Sequence, residues 1–236
     1  MKGYIEDKEF GRIHVELRRG MTSVRFTYHT DGHLLMRAPL SATITELHRM
    51  VDNNREQLRH LPQPEQVTFL MGQSIKCFRC QVVIEPQRSH PGYILNHWET
   101  DTLHLQPHES ANLEDEIIIR TISKVISRAM ETQAQTILLP YAREVSSALG
   151  LEPAGFEVGR GMRKLGHCTT KKTIQLSRNL MFLPEPLVRY IICHELAHLT
   201  HMSHSPQFHA LCNLYTDGKE KELERQLRQF RFPILK

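Results

Sequence analysis

Between residues 24 and 38 apolar and polar side chains take turns. Val24, Phe26 and Tyr28 alternate with Arg25, Thr27 and His29, the period of a strand buried on one face. Asp31-Gly32 is a tight-turn pair, and residues 33–38 return as the partner strand until Pro39 ends it. The period then lengthens. Thr43 and Glu46 stand at capping-box spacing, and Ile44, Leu47, Val51 and Leu58 recur at helical intervals. Leu61-Pro62-Gln63-Pro64 stops that helix. Residues 67–84 and 102–105 read as further strands, with Gly72, Pro86 and Gly92 as breaks.

Helical spacing dominates from Leu113 onward. Leu113, Ile117, Ile118, Ile122, Val125, Ile126 and Ala129 mark a long amphipathic helix. Pro140 punctuates it, and a shorter helix runs on to Gly150. Short strands are predicted over 156–158 and 173–176, then helices over 184–201, 206–215 and 219–229. The sequence shows no internal repeat, low-complexity tract or flexible linker. The expected organisation is α+β: a β-rich part with one helix over 1–107 and an α-rich part over 108–236, packed as one unit.

Composition narrows the classes. At 236 residues the chain can bury a core without staples. Its 30 Lys and Arg against 26 Asp and Glu leave a net charge of +4, too mild to imply nucleic acid by itself. A hydrophobic content of 40% with 24% charged residues excludes a wholly disordered chain. No apolar run approaches the roughly 18–20 residues of a membrane helix. The charged opening Met1-Lys2-Gly3-Tyr4-Ile5-Glu6-Asp7-Lys8 has no apolar signal core. Five cysteines, an odd number, argue against a disulfide scaffold. A cytoplasmic chain without membrane contact is expected. The unusual residue is histidine: fifteen in all, five of them between 194 and 209.

His194-Glu195-Leu196-Ala197-His198 is H-E-x-x-H. On a helix, residues four apart are offset by about 40°, so both imidazoles reach one metal ion from adjacent turns. Glu195 points to the side, where it can take a proton from metal-bound water. Val188, Ile192, Leu196 and Leu199 fall opposite the histidines and predict a helix buried at its back. The plain alternative is an exposed helix with two surface histidines, and the apolar back weighs against it. A catalytic zinc needs a third protein ligand and an open position. His201, His204, His209 and a downstream Glu220 or Glu222 are the candidates. His201 lies about 10 Å along the axis from His194, too far unless the helix breaks. Ser203 and Ser205-Pro206 flank His204 with turn residues that fold the chain back and favour it. Hydrolysis also needs a donor to the tetrahedral oxyanion; His201, His209, Tyr215 and Arg163 are candidates.

These residues resemble the YgjP-like metallopeptidases, whose pattern is H-E-L-x-H-L-x-x-x-N-H-S-x-x-F-W. Here it stands as His194-Glu195-Leu196-Ala197-His198-Leu199, then His204-Ser205 and Phe208. Lys164-Leu165-Gly166-His167-Cys168 resembles that family's R-W-G-S-C, residues 173–176 the following strand, and 183–192 the start of the site helix. Residues 11–58 resemble its opening strands and helix more loosely. The resemblance implies a zincin-like helical metallopeptidase core with a small sheet, the β-rich part packed on it. It implies one Zn²⁺ per chain on His194, His198 and His204, Glu195 as catalytic base, and a peptide or protein substrate. It also implies distant kinship with SprT-like and WLM peptidases, some of which cut DNA–protein crosslinks. The alternative is therefore a nucleic-acid-associated module whose zinc serves crosslink processing or structure. Three departures stand out. Ser203 replaces the family's Asn, His209 replaces its Trp, and only Gly166 and Cys168 remain of R-W-G-S-C.

Other features carry less. Cys77-Phe78-Arg79-Cys80 is a lone C-x-x-C, with His90 and His97 downstream. Residues 75–84 read as one strand, in which residues three apart point to opposite faces, so a zinc knuckle is not favoured. Cys168 and Cys193 read as buried small hydrophobes, and residues 219–225 as a solvated helix face. Phe230 and Phe232 in the basic tail are a weak candidate for nucleic-acid contact.

Overall fold

The computed structural model describes residues 2–28, 33–61, 67–159 and 164–233. The Asp31-Gly32 turn, Pro62, Pro64 and Arg163 lie outside them. The chain divides into two compact units, Met1–Gln66 and Val67–Lys236.

In the first unit β1 (Lys2–Asp7) and β2 (Gly11–Arg18) form an antiparallel hairpin. β3 (Arg25–Tyr28) pairs antiparallel with β4 (Leu34–Pro39), which runs parallel to β2, giving the order β1-β2-β4-β3. Alternation turns Ile13 and Val15 of β2 and Leu34, Met36 and Ala38 of β4 inward, where they meet Leu47, Val51 and Leu58. The helical stretch is two helices, α1 (Ile44–Asn53) and α2 (Arg55–Arg59), broken at Asn54. The Asn54 amide donates to the Met50 carbonyl at 2.7 Å. The capping box forms: the Thr43 hydroxyl accepts from the Glu46 N–H, and the Glu46 carboxylate accepts from the Thr43 N–H. Ile44, read as part of the apolar stripe, is exposed in the first turn.

The second unit begins with another four-stranded sheet, β5 (Ser74–Cys77), β6 (Cys80–Ile84), β7 (Ile94–Glu99) and β8 (Thr102–Pro107), in the order β5-β6-β8-β7. The sequence groups these strands with the N-terminal part. In the structure Val82, Ile84, Leu103 and Leu105 share one apolar core with Ile122, Ile126 and Met130 of α3 (Glu116–Gln133), so the compact units divide at 66/67. Residues 75–84 are not one strand either, because Phe78-Arg79 turns the chain between β5 and β6.

A π-helical turn, Ala134–Leu138, joins α3 to α4 (Leu139–Ala148). Pro140 has no N–H to donate one turn back, and the one-residue slip of the π turn absorbs the lost bond. The proline therefore slips the helical register without ending the rod. Next comes a three-stranded sheet of β9 (Gly155–Gly159), β10 (Gly166–Cys168) and β11 (Thr173–Ser177), with β10 at one edge and β9 parallel to β11.

A 3-10 helix, Arg178–Phe182, leads into α5 (Glu185–Ala197), followed by α6 (Pro206–Tyr215) and α7 (Glu220–Gln229). Val188, Ile192 and Leu196 are fully buried, as the stripe predicts. The helix ends at Ala197, four residues earlier than predicted. The Leu199 N–H donates to Leu196, and the N–H groups of Thr200 and His201 both donate to Ala197. The Lys172 ammonium donates to the Leu199 carbonyl and holds this tightened turn. Phe230 and Phe232 pack on each other, ring centroids 5.1 Å apart, and lie partly buried against the core of this unit. Among the described residues no helix is long and apolar enough to cross a membrane.

Candidate metal centre

His194 and His198 occupy successive turns at the end of α5, with His198 as its cap. His204 comes from the turn between α5 and α6. One nitrogen from each of the three lies within 4.8 Å of the others. The Ser205 hydroxyl accepts from the Phe208 N–H and starts α6, with Pro206 in its first turn. That start places the buried Phe208 ring against all three imidazoles. It stacks on His198 at 4.5 Å and meets His194 and His204 edge-on at 4.8 Å. The Nε2 atoms of His194 and His204 face each other at 3.1 Å. Two nitrogens on one tetrahedral zinc stand about 3.3 Å apart, so the donor set fits a shared cation.

Ring orientation is set from behind. His198 Nδ1 donates to the His201 carbonyl at 2.9 Å, which leaves Nε2 as the free lone pair. His201 thus contributes its backbone, whereas the sequence nominates its side chain for the substrate. His194 Nδ1 is buried with no hydrogen-bond partner among the described residues. Burial pushes the His194 imidazole down to about 4 and lowers His198 as well. Both are neutral at pH 7, the form that binds metal.

Glu195 is buried between α5 and β10. Burial lifts its carboxyl to about 7, although the Cys168 backbone N–H donates to it and the Lys164 charge pulls it the other way. Gly166 makes the close approach possible: a Cβ there would lie 2.5 Å from Cγ and Oε1 of Glu195. Gly166 and Cys168, the two residues kept from R-W-G-S-C, are thus the two that hold this carboxylate.

The remaining described candidates do not join the triad's nitrogen group. His209 Nδ1 bonds to the Glu220 carboxylate at 2.7 Å, with its ring 6.3 Å from that of His204. Glu220 is committed to His209 and does not join the histidine group. Tyr215 packs against the core, and its carbonyl accepts from the Cys193 thiol. Arg163 lies outside the described residues. Two contributors were missed from the sequence. Tyr190 is buried one turn before His194 and meets its ring at 6.1 Å, and Lys172 braces the turn after α5. For Tyr190 the i, i+4 spacing was a usable signal; for Lys172 there was none.

A family model of the YgjP-like metallopeptidase domain matches residues 22–230. The chain belongs to the YgjP-like family. Among solved structures, the crystal structure of the metallopeptidase zymogen of Methanocaldococcus jannaschii jannalysin is similar at 26% identity, covering 37% of this chain and 90% of that one, with a TM-score of 0.34. No curated protein matches the chain. This YgjP-like chain is therefore a metallopeptidase, and membership implies a metal ion and a peptide or protein substrate.

Proposed function

We propose that this metallopeptidase is zinc-dependent, with His194, His198 and His204 holding one Zn²⁺ and Glu195 acting as general base in peptide-bond hydrolysis. The observation that carries the proposal is the buried Glu195 carboxylate, carried on α5 between His194 and His198 yet outside the group of three converging imidazoles. A structural zinc takes four protein ligands and has no use for such a carboxylate. When bound, zinc supplies an acidified water and polarises the scissile carbonyl.

The chain's own residues do the rest. Glu195, buried and outside the ligand group, is the residue that takes and returns the proton. The Cys168 N–H fixes that carboxylate, and Gly166 keeps β10 close enough to supply it. The His201 carbonyl holds the His198 tautomer, and the Phe208 ring limits rotation of the triad. The five free thiols support a reducing, cytoplasmic setting.

The test combines zinc analysis with hydrolysis of a denatured protein substrate. Wild type and Glu195→Gln should each carry about one zinc per chain, with hydrolysis lost in the variant. His204→Ala should lose the metal. Full hydrolysis by Glu195→Gln would remove this residue from the mechanism, and zinc retained by His204→Ala but lost by His209→Ala would reassign the third ligand.

A further inference from the structure

Cys77 and Cys80 lie outside the metal centre, and the peptidase chemistry does not use them. They are not on opposite faces of a strand. β5 and β6 pair with Cys77 directly across from Cys80, joined by the two-residue turn Phe78-Arg79. Partners that close such a turn have Cα atoms about 5.5 Å apart, inside the roughly 4.4–6.8 Å span of a disulfide. The two side chains interact with each other, and the Cys77 thiol donates to the Ile75 carbonyl at 3.7 Å. Their β-carbons still have to approach by about 1 Å to bond, so the closed ring is strained and readily reduced.

The turn itself is held in place. Arg79 has φ of 54°, a left-handed conformation costly for a residue with a Cβ. Its guanidinium lies 4.7 Å from the centre of the Tyr141 ring and pairs with Glu185 at 3.2 Å. The Phe78 N–H donates to the Met181 carbonyl. These contacts fix the hairpin end against the entry to α5 and keep Cys77 across from Cys80.

We propose that Cys77 and Cys80 form a reversible redox site, closing to a disulfide with peroxide and reopening with a thiol reductant. Interaction with Cys77 lowers the Cys80 thiol, and interaction with Cys80 raises that of Cys77. Cys80 is the first nucleophile. Its thiolate attacks one peroxide oxygen, the O–O bond breaks, hydroxide leaves and takes up the proton the Cys80 thiol had released to become the first water, and Cys80 becomes a sulfenic acid. The Cys77 sulfur then attacks the Cys80 sulfur. The S–O bond breaks, and hydroxide leaves with the Cys77 proton as a second water. The sulfur pair loses two electrons and the peroxide gains them. Cys80 is buried like Cys168, Cys193 and Cys212, but it is lowered by its neighbour Cys77, whereas burial raises the other three thiols and disfavours the reactive thiolate there.

The experiment uses the full chain, treated with hydrogen peroxide, denatured, alkylated and digested with trypsin. Trypsin cuts after Arg79 and so separates the two cysteines. The expected product is peptide 77–79 joined to peptide 80–88 by a disulfide that dithiothreitol releases, with Cys168, Cys193 and Cys212 alkylated. Alkylated Cys77 and Cys80 after peroxide, sulfinic acid on Cys80 without the linked pair, or a disulfide to any other cysteine would each overturn the proposal.

Discussion

In the first unit Asp7 lies beside Arg55, and Glu16 beside Arg18 and Arg37; the guanidinium groups hold both carboxyls down to about 2. In the second unit Glu195 is lifted to about 7 and His194 pressed to about 4, each chiefly by burial. The difference lies in what surrounds the charge. The first unit keeps its acids next to cations, where they remain ionised and tie β1 and β2 to neighbouring elements. The second takes titratable groups out of water close to their neutral forms. Groups held that way destabilise a fold when ionised, and they are the ones placed to exchange protons.

The largest effect that tests this contrast is expected at Gly166. In Gly166→Ala the new Cβ collides with the Glu195 carboxylate, so hydrolysis should fall by about 10²–10⁴-fold, as for loss of the base. Zinc content and the helical circular dichroism should be retained; unchanged kcat/KM would mean that the carboxylate is not held where the reaction needs it. Phe208→Ala removes a fully buried ring that touches all three imidazoles. It should cost about 3–5 kcal/mol of stability and weaken zinc binding, both read from denaturant titration with and without metal.

A smaller effect follows from the raised Glu195 carboxyl. In metal-free protein its ionisation opposes folding, so stability declines as pH rises from its ordinary value of 4.5 through about 7. Glu195→Gln should remove that decline and be more stable than wild type by at most about 3 kcal/mol at alkaline pH. Equal stability at pH 8 would show the carboxylate to be well solvated. The smallest effect has the opposite sign. Asp7 is depressed, so its contribution is present above its ordinary 3.8 and is lost as pH falls toward about 2. Asp7→Asn should flatten the acid-induced loss of hydrogen-exchange protection in β2 and β4.

Several elements were recoverable from residues near one another in the chain. Thr43 and Glu46 placed the start of α1, and Val188, Ile192 and Leu196 placed the buried back of α5. The spacing of four put His194 and His198 together, and Ser205-Pro206 announced a helix start just after His204. Other elements gave no local signal. Phe78-Arg79 contains neither glycine nor asparagine, so the β5–β6 turn was invisible: Arg79 adopts it because Tyr141 and Glu185 compensate the strain. β7 lacks a clean alternation. The early end of α5 depends on Lys172, which is 27 residues from the carbonyl it braces.

Helical period and cap chemistry are interactions among residues a few positions apart, so the order of residues alone settled the site helix, its two histidines and the glutamate between them. That Glu195 lies against Gly166 and Cys168, that Phe208 supports the triad, and that Cys77 faces Cys80 were decided only in the folded molecule. The physical reason is range: burial and close contact arise from segments that meet after the chain has folded back on itself, and no spacing along the sequence records which segments those are.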